Sequence, residues 1–206
     1  MSSVAFWTEH QVGGPYATLE ESNCALDERA RLYPSLPDLM PVDQPGKTVL
    51  DYGCGPGHDT ILFCRHNAKH VYYYDISPLA LNITDVRLDL HGFRDMATPV
   101  EMLYDPARVD HIHCAGVLHH TEEPELILRS FRRRLRPDGE ARVMVYDGDR
   151  SRITQSRVPI TRWWTHKQFT EMAGDAGFRA EYVGGYDCSA EWRPECMAAC
   201  YRLTPC

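Results

Sequence analysis

The residues best placed to do chemistry lie in "VLDYGCGPGHDT" (49–60), where an apolar run ends in Asp51 and Gly53, Gly55 and Gly57 follow at alternate positions. Glycines so spaced let a ligand lie against the backbone, and the helix that follows presents free N–H groups at its start. A dinucleotide loop needs a further glycine at its sixth position, where helix packs on strand. Here that position is His58, and the loop offers no nearby lysine or arginine to complete a pyrophosphate site. A ligand without phosphate is indicated.

The next apolar run, "HVYYYDI", reaches Asp75 about two dozen residues after Asp51, where an acid accepts both hydroxyls of a ribose. An adenosine ligand with no pyrophosphate, whose charged tail tolerates acids around it, matches S-adenosylmethionine with its sulfonium and ammonium. Further on, "VLHH" (117–120) supplies His119 and His120, titratable near neutrality and suited to act as a base or to serve packing and cap roles. Tyr146 and Asp147 end a later apolar run, either facing a pocket or closing a strand. Aromatic residues gather in two places, Trp7 and Tyr16 before the core and Arg162, Trp163, Trp164 and His166 after the fifth strand. Tyr16 and the "RWW" segment read as walls of an acceptor pocket, with Arg162 available for a carboxylate, or as packing residues. "QVGGPYATLEES" sets glycines beside aromatics and suits a closing lid.

These residues need elements to hold them. Residues 1–45 read as an extension or lid containing a helix at "LEESNCALDERARLY", and residues 46–206 as the core domain. From position 47 strand and helix alternate. "KTVLDYG", "HVYYYDI", "TPVEML" and "VDHIHCAGV" read as strands, and "RPDGEARVMVYD" as a turn into another strand. Between them lie helices at "HDTILFCRHN", at "SPLALNITDVRLDLHGF" with Ser77 as cap and Pro78 in the first turn, and from Glu122 to Leu135. A last helix, "THKQFTEMAGDAGF", leads to "AEYVGGY" and "CMAACYRL", which have no helix between them and suit an antiparallel hairpin. The alternation predicts an α/β fold with a mostly parallel sheet covered on both faces, its ligand beyond the carboxyl ends of the central strands.

"VLDYGCGPGHDT", "YYYDISPLAL" and "VDHIHCAGVLHHTEEPELILRSFRRRLRPDGEARVMV" together resemble the class I S-adenosylmethionine-dependent methyltransferases of the broad small-molecule group. The specific motifs cover about 47–146, with looser likeness to 203. The resemblance implies a Rossmann-like, seven-stranded, mostly parallel sheet with an antiparallel last strand. It also implies that Asp51 and the backbone of Gly53, Cys54 and Gly55 contact the methionyl part, while Gly57 permits a close turn. Asp75 then accepts the ribose hydroxyls, Ile76 lies against the adenine, and Cys114 and Ala115 approach the methionyl chain. Cys54 and Cys114 suit either small pocket residues or core thiols. An acid after the third strand commonly binds the adenine amino group in such families, and Glu101, Tyr104 and Asp105 compete for that role.

A formal net charge of −7 disfavours a nucleic-acid partner, and the arginines of "RSFRRRLR" read as a solvated helix face. No apolar run approaches the length of a membrane span, and the N-terminus lacks a signal-peptide pattern. The eight cysteines show no CxxC; they read as reduced thiols, Cys196 and Cys200 in a strand, with no metal site expected. These features suggest a cytoplasmic enzyme acting on a small molecule with S-adenosylmethionine. Two other outcomes share the same residues: cyclisation of the cofactor with release of methylthioadenosine, and a non-catalytic cofactor-binding subunit.

Overall fold

A strand with no polar–apolar alternation is one covered on both sides, and β1 (Thr48–Tyr52, TVLDY) is buried along its whole length, Asp51 included. The computed structural model describes residues 3–101, 108–152, 158–188 and 196–206. The chain divides into two compact units, one of residues 1–37 and 41–106, the other of 38–40 and 107–206.

In the first unit β1 pairs in parallel with β2 (His70–Tyr74), and β2 with β3 (Ala97–Pro99). Four helices accompany them: α1 (Ser3–Glu9), α2 (Leu19–Leu32), α4 (His58–Arg65) and α5 (Pro78–His91). A capping box starts α2, with Thr18 accepting from the Glu21 N–H and Glu21 reaching back to the cap. Ser77 caps α5, Pro78 opens it, and left-handed Gly92 closes it. In α5, Ala80, Ile83, Thr84, Arg87 and Leu88 form the buried stripe at helical spacing. Val49, Ile61, Phe63, Val71, Tyr73 and Leu88 belong to the apolar core of this unit.

The second unit contains α3 (Leu36–Leu39) in part, β4 (Val109–Ala115), α6 (Pro124–Arg134) and β5 (Leu135–Tyr146). It continues with α7 (His166–Asp175), β6 (Phe178–Asp187) and β7 (Met197–Pro205). β4 and β5 are parallel, while β7 runs antiparallel to both β5 and β6. The seven strands form one sheet in the order β3-β2-β1-β4-β5-β7-β6. The terminal hairpin therefore places β6 at the edge and tucks β7 inside.

Two expected boundaries need correction. The third strand ends at Pro99 rather than running through "TPVEML", because proline has no N–H for the ladder; positions 102–107 lie outside the described residues. "RPDG" is not a turn before β5 but a bulge within it, since the pairing passes from Val109↔Leu135 to His111↔Glu140. Gly139 is needed there because an added Cβ would lie 2.8 Å from the Asp110 carbonyl oxygen. Among the described residues no helix is long and apolar enough to cross a membrane. Cys196 and Cys200 are buried, Cys200 within β7.

The N-terminal segment is tied to the first unit by charge as well as packing. Arg29 of α2 donates through both Nη groups to the two carboxylate oxygens of Asp59 in α4, each at 2.7 Å. The pair is largely buried, at 22 % and 11 % side-chain exposure, so it is not a screened surface contact. Removing these bonds by Arg29→Ala costs about 1.5–3 kcal/mol, read as a lower urea midpoint at unchanged slope.

Candidate functional site

The chain must leave β1, turn, and enter α4 within a few residues, and this turn is the candidate binding element of the first unit. Gly53, Gly55 and Gly57 have φ of 77°, 53° and 76°, a left-handed run that other residues adopt at a cost. At Gly57 an added Cβ would also meet Thr84 at 2.8 Å, whereas at Gly55 it would face open space. The loop amides are engaged internally. Gly53 and Cys54 donate to the Tyr74 carbonyl at 2.7 and 2.9 Å, Gly55 to Asp75 Oδ2 at 2.9 Å, and Gly57 to the Cys54 carbonyl at 2.9 Å. These donors are therefore committed before any anion arrives.

Asp75 follows β2, and its other oxygen, Oδ1, accepts the Ser77 N–H at 2.8 Å. Burial raises its pKa, while the bonds from Ser77, Gly55 and Ile76 pull the other way. With these three N–H donors on it, the carboxylate keeps room for a further hydroxyl donor. Ile76, beside it, is 41 % exposed, an apolar surface next to the acid. Asp51 is buried and accepts the Thr60 hydroxyl at 2.7 Å, so it braces the start of α4. The Cys54 side chain is a core thiol, against Thr84 Oγ1 at 3.8 Å, with burial holding its pKa well above the ordinary range. Glu101 is exposed, and Tyr104 and Asp105 lie outside the described residues.

Sequence reading missed Arg87, a fully buried cation in α5. It donates to the Pro56 carbonyl at 2.7 Å, to Ser22 Oγ at 2.8 Å and to the Ser22 carbonyl at 3.2 Å, with its guanidinium 4.5 Å above the Tyr16 ring. One side chain thus joins the glycine loop, α2 and the segment carrying Tyr16. The signal was available, because Arg87 stands three residues after Thr84 and four after Ile83 on the buried face of α5. His58 also faces Tyr16, edge to face at 6.3 Å. Burial, aided by Arg87 and Arg29 and opposed by Asp59, lowers its pKa to about 3.

In the second unit Cys114 is fully buried, while Ala115, Gly116 and Val117 are half-buried at the end of β4. His119 and His120 sit in a single 3-10 turn, Leu118–His120, both buried. His119 stacks on Tyr146 at 3.7 Å, and Trp163 lies 6.0 Å beyond that ring. His120 Nδ1 meets the Ile160 carbonyl oxygen at 2.8 Å. A carbonyl only accepts, so Nδ1 carries the hydrogen and the neutral ring has its lone pair on Nε2.

Arg162 is engaged by the backbone of the histidine turn. Its two Nη groups donate to the backbone carbonyls of Thr121 and of Glu122, the latter at 3.0 Å, and its N–H donates to the His119 carbonyl at 2.9 Å. It fastens the "RWW" segment to the histidine turn rather than waiting for a carboxylate. Trp163 Nε1 is buried with no hydrogen-bond partner among the described residues.

The family model described as a methyltransferase domain matches residues 25–183. The tRNA U34 carboxymethyltransferase of Shewanella sediminis is 33% identical over 134 residues, covering 62% of this chain and 39% of that protein. The ubiquinone biosynthesis O-methyltransferase of Paraburkholderia phytofirmans is 31% identical over 98 residues, covering 46% of this chain and 42% of its own. The chain thus spans less than half the length of these curated relatives. Among solved structures, the magnesium protoporphyrin IX methyltransferase of Synechocystis with bound S-adenosylhomocysteine aligns at TM-score 0.63 and 14% identity, covering 98% of each chain. The cyclase SpnF aligns at 0.66 and 17% identity, covering 95% of this chain and 86% of that one. At such identities these two likenesses show the fold.

Two partly buried histidines of the first unit give a pH signature. His58 and His91 have folded pKa values of about 3 and about 4, against 6.5 when exposed, both held down chiefly by burial. Below pH 6.5 the unfolded chain therefore takes up protons that the folded chain refuses, and stability is lost as pH falls towards 4. Asp75, with its raised pKa, works in the opposite sense. Denaturant midpoints should fall between about pH 6.5 and 4, and His58→Gln with His91→Gln should flatten that slope. An unchanged slope in the double variant contradicts the assignment.

Proposed function

The chain belongs to the methyltransferase-domain family, and we propose that it binds S-adenosylmethionine and methylates a small-molecule acceptor. The observation that carries this reading is the glycine loop, whose amides at 53, 54, 55 and 57 are engaged internally. A loop of this kind offers a phosphate little, and with Asp51 and Asp75 flanking it the local field suits a cationic tail. When bound, S-adenosylmethionine supplies an electrophilic methyl group on a sulfonium.

In this reading the backbone of Gly53, Cys54 and Gly55 faces the methionyl part, and Asp51 keeps that backbone in place through Thr60. Asp75 accepts the ribose hydroxyls, Ile76 covers the adenine, and Cys114 and Ala115 approach the methionyl chain. His119 and His120 are the candidate bases, His120 with its Nδ1 turned to the Ile160 carbonyl. His119 holds Tyr146 by stacking. Trp163 Nε1 is a donor available to an acceptor oxygen, and a site that pairs a buried donor gains specificity from it. Tyr16 and residues 1–45 form the lid, held by Arg87, over a core of 46–206.

The acidic balance of the chain favours a small acceptor over nucleic acid, whereas the relatives named for tRNA U34 bear against that expectation, so tRNA belongs in the test. The cytoplasmic setting rests on the sequence, whose cysteines lack CxxC spacing and read as reduced thiols.

The test is chromatography after incubation with S-adenosylmethionine, with and without a panel of small hydroxy, amino and carboxy acceptors, and separately with tRNA. S-adenosylhomocysteine formed only with a small acceptor is the expected result. Its formation only with tRNA overturns the acceptor class. Methylthioadenosine formed without acceptor points to cyclisation, and an intact cofactor throughout points to a binding subunit. Asp75→Ala should weaken S-adenosylmethionine binding about tenfold to a hundredfold, as expected for lost bonds to a charged group, measured by calorimetry.

A further inference from the structure

The end of β5 carries a second group of residues with no part in the reading above. Asp147, Asp149 and His166 each bring one ligand-capable atom to within 4.8 Å of the other two. We propose that these three side chains bind a divalent transition-metal ion of the zinc or manganese class.

Asp147 carries the argument. Its side chain is fully buried, and Oδ1 accepts the N–H groups of Asp149 at 2.9 Å and Arg150 at 3.1 Å, which fixes the plane of the carboxylate. Oδ2 is buried with no hydrogen-bond partner among the described residues. A buried carboxylate oxygen left in that condition is costly, and a cation removes the cost. The nearest opposite group, His166 Nε2, stands 3.8 Å away, beyond hydrogen-bond reach. Two ligands each about 2.1 Å from one ion lie at most about 4.2 Å apart, so this spacing fits a shared metal better than a direct bond.

The imidazole is already oriented for ligation. His166 Nδ1 is held by the Tyr201 hydroxyl at 2.6 Å, and the ring meets Tyr182 edge to face at 4.3 Å. Such a bond on the distal nitrogen is how ligating histidines are aimed. Asp149 Oδ2 accepts the backbone N–H of His166 at 2.7 Å, which fastens the third ligand to the start of α7. Imidazole with carboxylates favours zinc or manganese over calcium and magnesium, which take oxygen donors. Three protein ligands leave further positions for water or another oxygen donor.

The site stands apart from the methyl-transfer proposal and can be tested without turnover. The chelator-stripped protein is titrated calorimetrically with Zn²⁺ and, separately, with Mn²⁺, and bound metal is counted by elemental analysis. One equivalent of at least one metal is expected. His166→Gln and Asp149→Asn should each weaken that binding tenfold or more while keeping the circular dichroism and melting temperature of the metal-free parent. Neither side chain is buried, so both variants should fold. Absence of saturable binding by the parent overturns the proposal, and so does binding that either substitution leaves unchanged.

Discussion

The turn from β1 into α4 is the constraint on which the first unit is organised. Three left-handed positions within five residues admit only glycine without strain, and each glycine answers a different need. Gly53 begins the reversal, Gly55 leaves open space beside Asp75, and Gly57 lets α5 approach through Thr84. The loop then closes on itself through the Tyr74 carbonyl and the Asp75 carboxylate, so its shape is set by the paired ends of β1 and β2 rather than by a ligand.

Arg87 extends that constraint outward. A guanidinium with no solvent exposure is tolerated only when it is bonded, and here its bonds run to the loop and to Ser22, with the Tyr16 face below it. Burial lowers its pKa to about 10, which leaves it charged at neutral pH. The same charge helps keep His58 neutral. The N-terminal segment, held through Arg87 and through Arg29 on Asp59, is therefore a structural partner of the loop and not a loose appendage. In the second unit stacking and backbone bonds take that place: His119 stacks on Tyr146, His120 bonds the Ile160 carbonyl, and Arg162 fastens the two segments.

Local signals in the sequence carried much of this. Ser77 with Pro78 marks the start of α5, the unbroken run "TVLDY" marks a strand covered on both faces, and the glycine spacing marks the turn. What escaped depends on contacts distant in the chain. Pro99 cuts β3 short because β2 pairs beside it, and the bulge at 136–139 depends on the register against β4. Arg162 has the chemistry of a carboxylate binder, yet carbonyls 40 and 41 residues away occupy it. Asp147, Asp149 and His166 follow no metal-ligand spacing, because the bridge of Asp147 to Trp164 brings them together.

The claim that most needs a direct test is that the glycine loop is built before its ligand and built for S-adenosylmethionine. Hydrogen–deuterium exchange of peptides covering 50–60 and 73–80, with and without S-adenosylmethionine, measures both parts. The account predicts that the loop peptide of the free protein is already protected to the level of β1, and that added S-adenosylmethionine slows exchange around Asp75 and Ile76. A loop that exchanges as fast as an unstructured peptide until ligand is added contradicts preformation, and two peptides indifferent to S-adenosylmethionine contradict the site.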